Sequence, residues 1–366
     1  MYISGIRAKI SIAIVGLLFL LLTLTLWLGP RAEYSTSERR KLAIFPTLST
    51  ETIADGSFMT GFETWTQDHF PLRDSFRTLK SLFLYYGLGQ IDNNGIYLRD
   101  GYAAQVEYPL DKASLTHATD RFRYLYDNCL AGTDAKVYLS IVPDKSYFCA
   151  GNGILHMDYD TLFATVQGQM PYAQYIDITG TLDVTDYYKT DTHWRQEKLP
   201  DTAQTLAAGM GVTLTETYTE NLLPEPFYGV YYGQSALPLP GEELRYLTND
   251  LLSSCTVTNH ENGTVGGIYD MDKAAGRDPY ELFLSGSVSL LTIDNPHAET
   301  DRELVVFRDS FGSSITPLLV EGYSKVTLVD IRYLRPEFVS RFVTFDDQDV
   351  LFLYSTLILN NSETIM

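Results

Sequence analysis

Leu304-Val305-Val306-Phe307 is an apolar, largely β-branched run that stops abruptly at Arg308-Asp309-Ser310-Phe311-Gly312. Such a run reads as a buried parallel strand that delivers a serine at its carboxyl end, where open α/β sheets place their sites. Lys136–Val142, Val288–Ile293, Lys325–Asp330 and Val350–Tyr354 are further strand candidates. Helical spacing marks Leu115–Leu130, Asp201–Met210, Ser314–Val320 and Pro336–Phe342 between or before them. Strands alternating with helices predict an α/β chain with a mainly parallel sheet.

Upstream, Tyr188-Lys189-Thr190-Asp191-Thr192-His193-Trp194 follows a shorter strand candidate at Ala173–Ile178. If this segment is extended, Asp191 and His193 project to one side, because side chains alternate along a strand. A carboxylate beside an imidazole can hold its tautomer and stabilise its charged form. With Ser310 these are the parts of a nucleophilic triad. Each part alone has a plainer role: Ser310 as a helix N-cap, His193 as a histidine satisfied by a carbonyl.

Other clusters compete for attention. His156, Asp158 and Asp160 have metal-ligand residue types at alternating spacing, which makes a metallo-hydrolase the rival enzyme reading. No metal or organic cofactor is required by the serine chemistry. Arg332 in Val329-Asp330-Ile331-Arg332-Tyr333 ends a strand candidate, and an ion pair with Asp330 or Asp309 is its plainest role. Cys129, Cys149 and Cys255 form no metal or redox motif; Cys129 and Cys149 are free to form one disulfide or to act as small buried hydrophobes.

Composition sets the wider limits. The 366 residues, 45% hydrophobic and 13% aromatic, support a substantial core. A formal net charge of −19 repels nucleic acid, and an acidic surface rich in tyrosine suits neutral ligands such as sugars. Ile10–Leu28 is an uncharged run preceded by Arg7 and Lys9. It nearly matches a hydrocarbon core of about 30 Å, with Trp27 placed for the interface. The run exceeds a typical signal-peptide core, and Gly29-Pro30-Arg31 is a poor cleavage site, which favours an uncleaved signal anchor. The expected organisation is a cytoplasmic stub and transmembrane helix over residues 1–29 and a juxtamembrane region over 30–80. A main domain over 81–366 follows, placed outside the cytoplasm. Within it, the proline-, glycine- and tyrosine-rich stretch 212–279 breaks the alternation and reads as an irregular insertion or lid.

Three motifs now stand in order: Thr190-Asp191-Thr192-His193-Trp194, Arg308-Asp309-Ser310-Phe311 and Val329-Asp330-Ile331-Arg332-Tyr333. Together with Trp65 through His69-Phe70-Pro71-Leu72-Arg73, the Gly95–Tyr102 hairpin and Val142-Pro143-Asp144-Lys145, they resemble the DHHW family. That family is similar to the alginate O-acetylation proteins of the SGNH hydrolase superfamily. The sequence departs from the family pattern at Thr192, which replaces one of the two histidines of DHHW, and at Pro200, where a smooth helix start is expected.

The resemblance implies a flavodoxin-like, three-layer α/β/α core and an exported, membrane-linked protein. It further implies acetyl transfer to, or removal from, a polysaccharide. On that reading Ser310 attacks, His193 moves the proton and Asp191 orients His193. The Ser310 amide and Gly286 are candidate oxyanion donors, and Arg308, Arg332 and Trp194 are candidate substrate contacts. A membrane protein that exports the acyl group is the implied partner. The alternative function is a glycan-binding or assembly protein without catalysis, with Tyr228, Tyr231 and Tyr232 as sugar platforms.

Overall fold

Strand side chains alternate between two apolar clusters, and this alternation defines the layers. The computed structural model describes residues 2–149, 151 and 153–366. It divides the chain into two compact units, Met1–Asn93 with Tyr232–Pro238, and Asn94–Tyr231 with Leu239–Met366.

In the first unit α1 spans Tyr2–Leu28, α2 Ser57–Asp68 and α3 Arg73–Leu82, the last continuing as a π-turn over Phe83–Gly87. Within α1, Gly5–Leu28 is long and apolar enough to cross a membrane. Trp27 packs its ring against Phe45 and Trp65, at centroid distances of 6.0 and 5.5 Å. Glu38 accepts ion pairs from Arg73 at 2.7 Å and Arg77 at 3.1 Å. These tie the first residues after α1 to α3.

The second unit is built on an eight-stranded sheet. Its strands are β1 Lys136–Val142, β2 Gln174–Tyr175, β3 Thr256–Asn259, β4 Val265–Gly266, β5 Leu290–Asp294, β6 Glu303–Arg308, β7 Lys325–Val329 and β8 Asp349–Ser355. In space they run β4-β3-β5-β7-β6-β8-β1-β2. From β7 through β2 the neighbours are parallel, whereas β4, β3 and β5 join antiparallel. The mainly parallel sheet is therefore as expected, with an antiparallel flank. β5 cannot run parallel to β6, because residues 295–302 are too few for a crossover.

Leu304 and Val306 of β6 and Leu351 and Leu353 of β8 face one core, covered by Ala203, Leu206 and Ala207 of α6 (Pro200–Gly209). Val305, Phe307, Val350 and Phe352 face the other. There Leu115, Phe122 and Leu125 of α4 (Lys112–Leu125) and Leu162 and Val166 of α5 (Tyr159–Gln169) pack on them. The result is the three-layer α/β/α arrangement. Pro200 occupies the first position of α6, where its missing N–H costs nothing, so this departure leaves the helix intact.

The 212–279 stretch is more ordered than its composition implies. It supplies β3 and β4, and a hairpin pairs Thr219–Leu222 with Arg245–Thr248. All three cysteines are free thiols, so no Cys129–Cys149 disulfide forms.

Candidate active site

The carboxyl ends of the parallel strands carry the polar residues. β6 lies between β7 and β8, so the chain leaves it toward one side and returns on the other, the arrangement in which α/β sheets open a crevice. Ser310 follows β6 by two residues, just before the short helix α7 at Gly312–Ile315. Asp309 shapes this junction. Its Oδ1 accepts the Phe311 N–H at 2.9 Å and its Oδ2 accepts the Ser355 N–H at the end of β8 at 2.8 Å. A fully buried carboxylate thus holds the serine turn to the neighbouring strand. Among the described residues no hydrogen bond is found from the Ser310 amide.

His193 Nε2 lies 2.8 Å from Ser310 Oγ, and His193 Nδ1 lies 2.6 Å from Asp191 Oδ1. A carboxylate only accepts, so Nδ1 carries the ring proton and Nε2 is left to accept from the serine hydroxyl. Asp191 and His193 do share one side, although the segment is not a strand. Tyr187 and Trp194 form an antiparallel bridge, and the residues between them make a tight loop. Within it Asp191 Oδ1 also accepts the His193 backbone N–H at 3.1 Å. The side chain itself bends the loop, which replaces strand alternation as the cause of the pairing.

The supposed lid segment holds the acid in place. Val230 N–H donates to Asp191 Oδ2 at 2.8 Å. Glu242 accepts the Lys189 N–H, the Thr190 N–H and the Thr190 hydroxyl at 2.6, 2.7 and 2.7 Å. Gly229 fits here only because it lacks a Cβ, which would stand 2.3 Å from Asp191 Cβ and from the Thr190 carbonyl oxygen. Tyr280, which follows β4 in the chain, lies flat on the His193 ring and bonds its hydroxyl to Ser314 at 2.8 Å. Burial pushes its phenol well above the ordinary value, so it remains a neutral hydroxyl.

Three sequence-expected contacts are corrected. Trp194 is fully buried and donates its indole N–H to Ser314 Oγ at 2.8 Å, bracing α7 instead of meeting substrate. Arg308 is also fully buried and donates to the Gly286 carbonyl at 3.1 Å, beside Asp330 at 3.7 Å. Burial lowers its basicity, and Asp330 offsets this in part. Gly286 gives its own N–H to Phe283, which removes it as an oxyanion donor. It closes a run of three left-handed residues, Leu284, Ser285 and Gly286, that turns the chain into β5. Arg332 pairs with Asp330 at 2.7 and 2.9 Å, the structural ion pair expected of it.

Lys145, just past β1, is fully buried beside the loop. Its ammonium donates to the carbonyls of Ala103, Tyr188 and Lys189 and faces the Tyr231 ring. Tyr231 is itself buried against Ile96 and Ala103 and offers no sugar platform, whereas Tyr228 is exposed. His156 meets the Met157 carbonyl, and Asp158 caps α5 through the Thr161 N–H. Among the described residues no group of three or more His, Cys, Asp or Glu side chains is placed to hold a metal.

Residues 38–99 match the model of the DHHW protein family. Among solved structures the chain is similar to a DHHW family protein from Eubacterium siraeum, with a TM-score of 0.61 and 19% identity over 75% of this chain and 96% of that one. It is also similar to Bacillus cereus PatB1, with a TM-score of 0.55 and 19% identity over 72% and 96% of the two chains. The same PatB1 carrying a sulfonyl adduct gives 0.55 and 18% over 72% and 94%. Comparison with curated proteins gave no match. The resemblance to the DHHW family therefore holds as a direct match over residues 38–99, and the chain shares its α/β/α fold with these solved structures over about three quarters of its length.

Proposed function

We propose that this chain is an extracytoplasmic acyl-transfer protein, anchored by α1, that moves acetyl groups on or off a polysaccharide through Ser310, His193 and Asp191. The observation that carries the reading is the single imidazole that touches both partners, at 2.6 Å to Asp191 and 2.8 Å to Ser310. In the first half-reaction Ser310 Oγ attacks the acetyl carbonyl while its proton passes to His193 Nε2. The Ser310 amide is available to the developing oxyanion. Collapse expels the donor's leaving group, which takes the proton from His193, and leaves an acetyl ester on Ser310. In the second half-reaction His193 deprotonates an acceptor hydroxyl, which attacks the ester and frees Ser310. A sugar hydroxyl as acceptor gives O-acetylation, and water gives deacetylation. An outward-facing transferase needs its acetyl group delivered across the membrane, so a membrane acyl-exporting protein is the partner this chemistry requires.

The test exposes the full chain, in detergent, to a sulfonyl fluoride or fluorophosphonate and to p-nitrophenyl acetate. PatB1, which shares the fold, has been solved with a sulfonyl adduct. Mass gain on Ser310 and ester cleavage, both lost in Ser310→Ala and cleavage lost in His193→Ala, support the reading. A folded wild-type protein that neither labels nor cleaves would overturn it in favour of a glycan-binding or assembly role on the same fold.

A further inference from the structure

The α3 segment carries an apolar stripe that the described residues of its unit leave largely exposed. Leu72, Phe76, Leu79, Phe83 and Tyr86 recur at spacings of four, three, four and three, which places them on one face of the helix and its π-turn. They are 70%, 47%, 62%, 59% and 78% exposed. The opposite face is packed: Arg73 and Arg77 bind Glu38, and the buried Ser81 hydroxyl donates to the Ser235 carbonyl at 2.7 Å. An exposed stripe of this size on a soluble surface marks an interaction site.

Its neighbour identifies the occupant. Phe70 and Leu72, where the stripe begins, line the same groove as Leu18, Leu21 and Leu22 of α1. Those leucines sit in the run that is apolar enough to cross a membrane. Residues that share a groove with them come within reach of the acyl chains once α1 spans the bilayer. We infer that α3 and its π-turn lie in the membrane interface, with the Leu72–Tyr86 stripe sunk among lipid chains and the exposed Lys80 beside it meeting headgroups. This rests on the proposed anchoring of α1 and deepens it, since the first unit would then be held at the surface by two elements and not by one tether.

The test places the photoreactive residue p-benzoylphenylalanine at one position at a time in the full chain. The chain is reconstituted in phosphatidylethanolamine–phosphatidylglycerol vesicles and also irradiated in cell membranes. The positions are Phe19 in α1, Leu79 and Phe83 in the stripe, and the exposed Asp74 on the side of α3 away from the stripe. Lipid adducts at 19, 79 and 83, with none at 74, support the inference. Adducts at 19 without adducts at 79 and 83 would overturn it while leaving the anchor standing. Loss of adducts at 19 as well would remove the anchoring on which it rests. In cell membranes, adducts at 79 and 83 to a protein in place of lipid would overturn it in favour of a protein partner on this face.

Discussion

Tyr280 lies beneath His193 as a near-parallel stack, with ring centroids 4.0 Å apart and planes 10° from coplanar. Its hydroxyl meets Ser314, which also receives the Trp194 indole N–H, so the ring under the histidine is fastened to the helix that follows the serine. The imidazole can neither tilt nor slide without disturbing α7. On the proposed function, Tyr280→Phe keeps the stack and loses one hydrogen bond, and esterase kcat stays within about threefold of wild type. Tyr280→Ala removes a contact of about 1 kcal/mol and frees the ring, so kcat falls about tenfold. Steady-state kinetics on p-nitrophenyl acetate separates the two variants. Equal losses in both would show that the stack contributes nothing.

Gly229 and Glu242 hold the acid from outside its own loop. In Gly229→Ala the new methyl meets the Asp191 Cβ and Thr190 backbone, so the chain must move and the Val230 N–H leaves Asp191 Oδ2. The expected cost is about 1–3 kcal/mol of stability. Glu242→Gln places an amide N–H₂ where the backbone already offers only donors, and an unmet donor costs about 1–3 kcal/mol. Both variants should keep the far-ultraviolet circular dichroism of the wild type and lose esterase activity. A Gly229→Ala protein of unchanged midpoint and kcat would contradict the clamp.

Asp309 does for the serine what Glu242 does for the acid. Asp309→Asn can satisfy one of the two N–H groups, at Phe311 and Ser355, and turns a donor toward the other. We expect a loss of about 1–3 kcal/mol in a denaturant titration, and slower labelling of Ser310 by a fluorophosphonate. Unaltered labelling in a destabilised variant would make Asp309 a brace for the sheet alone.

What was legible in the sequence were features with a local period. β1, β6, β7 and β8 announced themselves as apolar runs because both their faces are buried, and the serine after β6 followed from where such a strand ends. The Asp191–His193 pairing is legible as the alternation of a strand, but a loop turned by Asp191 is what produces it. The clamp was not legible. Val230 reaches Asp191 across 39 residues and Glu242 reaches Thr190 across 52, and neither leaves a pattern in its own neighbourhood. Nor does composition reveal that a tyrosine in an irregular stretch stacks on the histidine. Trp194 and Arg308 read as contacts in the sequence because they stand in motifs next to the site. Full burial shows that they hold its walls.

Lys145 makes stability depend on pH in a direction opposite to the usual lysine. Its burial, only partly offset by Asp191 and Glu242, brings its pKa from 10.5 down to about 8. Below pH 8 the lysine is protonated in both folded and unfolded chains, and the cost of burying the charge is fully present. Between about pH 8 and 10.5 the folded chain has released the proton while the unfolded chain retains it, so the unfolded state binds more protons and stability rises with pH. Above pH 10 the opposite effect takes over, because Tyr187, Tyr188 and Tyr280 are held protonated by burial while their unfolded counterparts ionise. The rise is therefore confined to about pH 8 to 10 and amounts to about 2–3 kcal/mol at roughly 1.4 kcal/mol per pKa unit. Lys145→Met retains the stem, removes the titration and leaves three carbonyls without their donor. Denaturant titrations of both proteins in detergent at pH 7, 8, 9 and 10 isolate the effect. The advantage of wild type over the variant should be flat up to pH 8 and then widen. A constant difference to pH 10 would mean that Lys145 keeps its proton in the fold, and that the carbonyl cage and the Tyr231 ring stabilise its charge as well as water does.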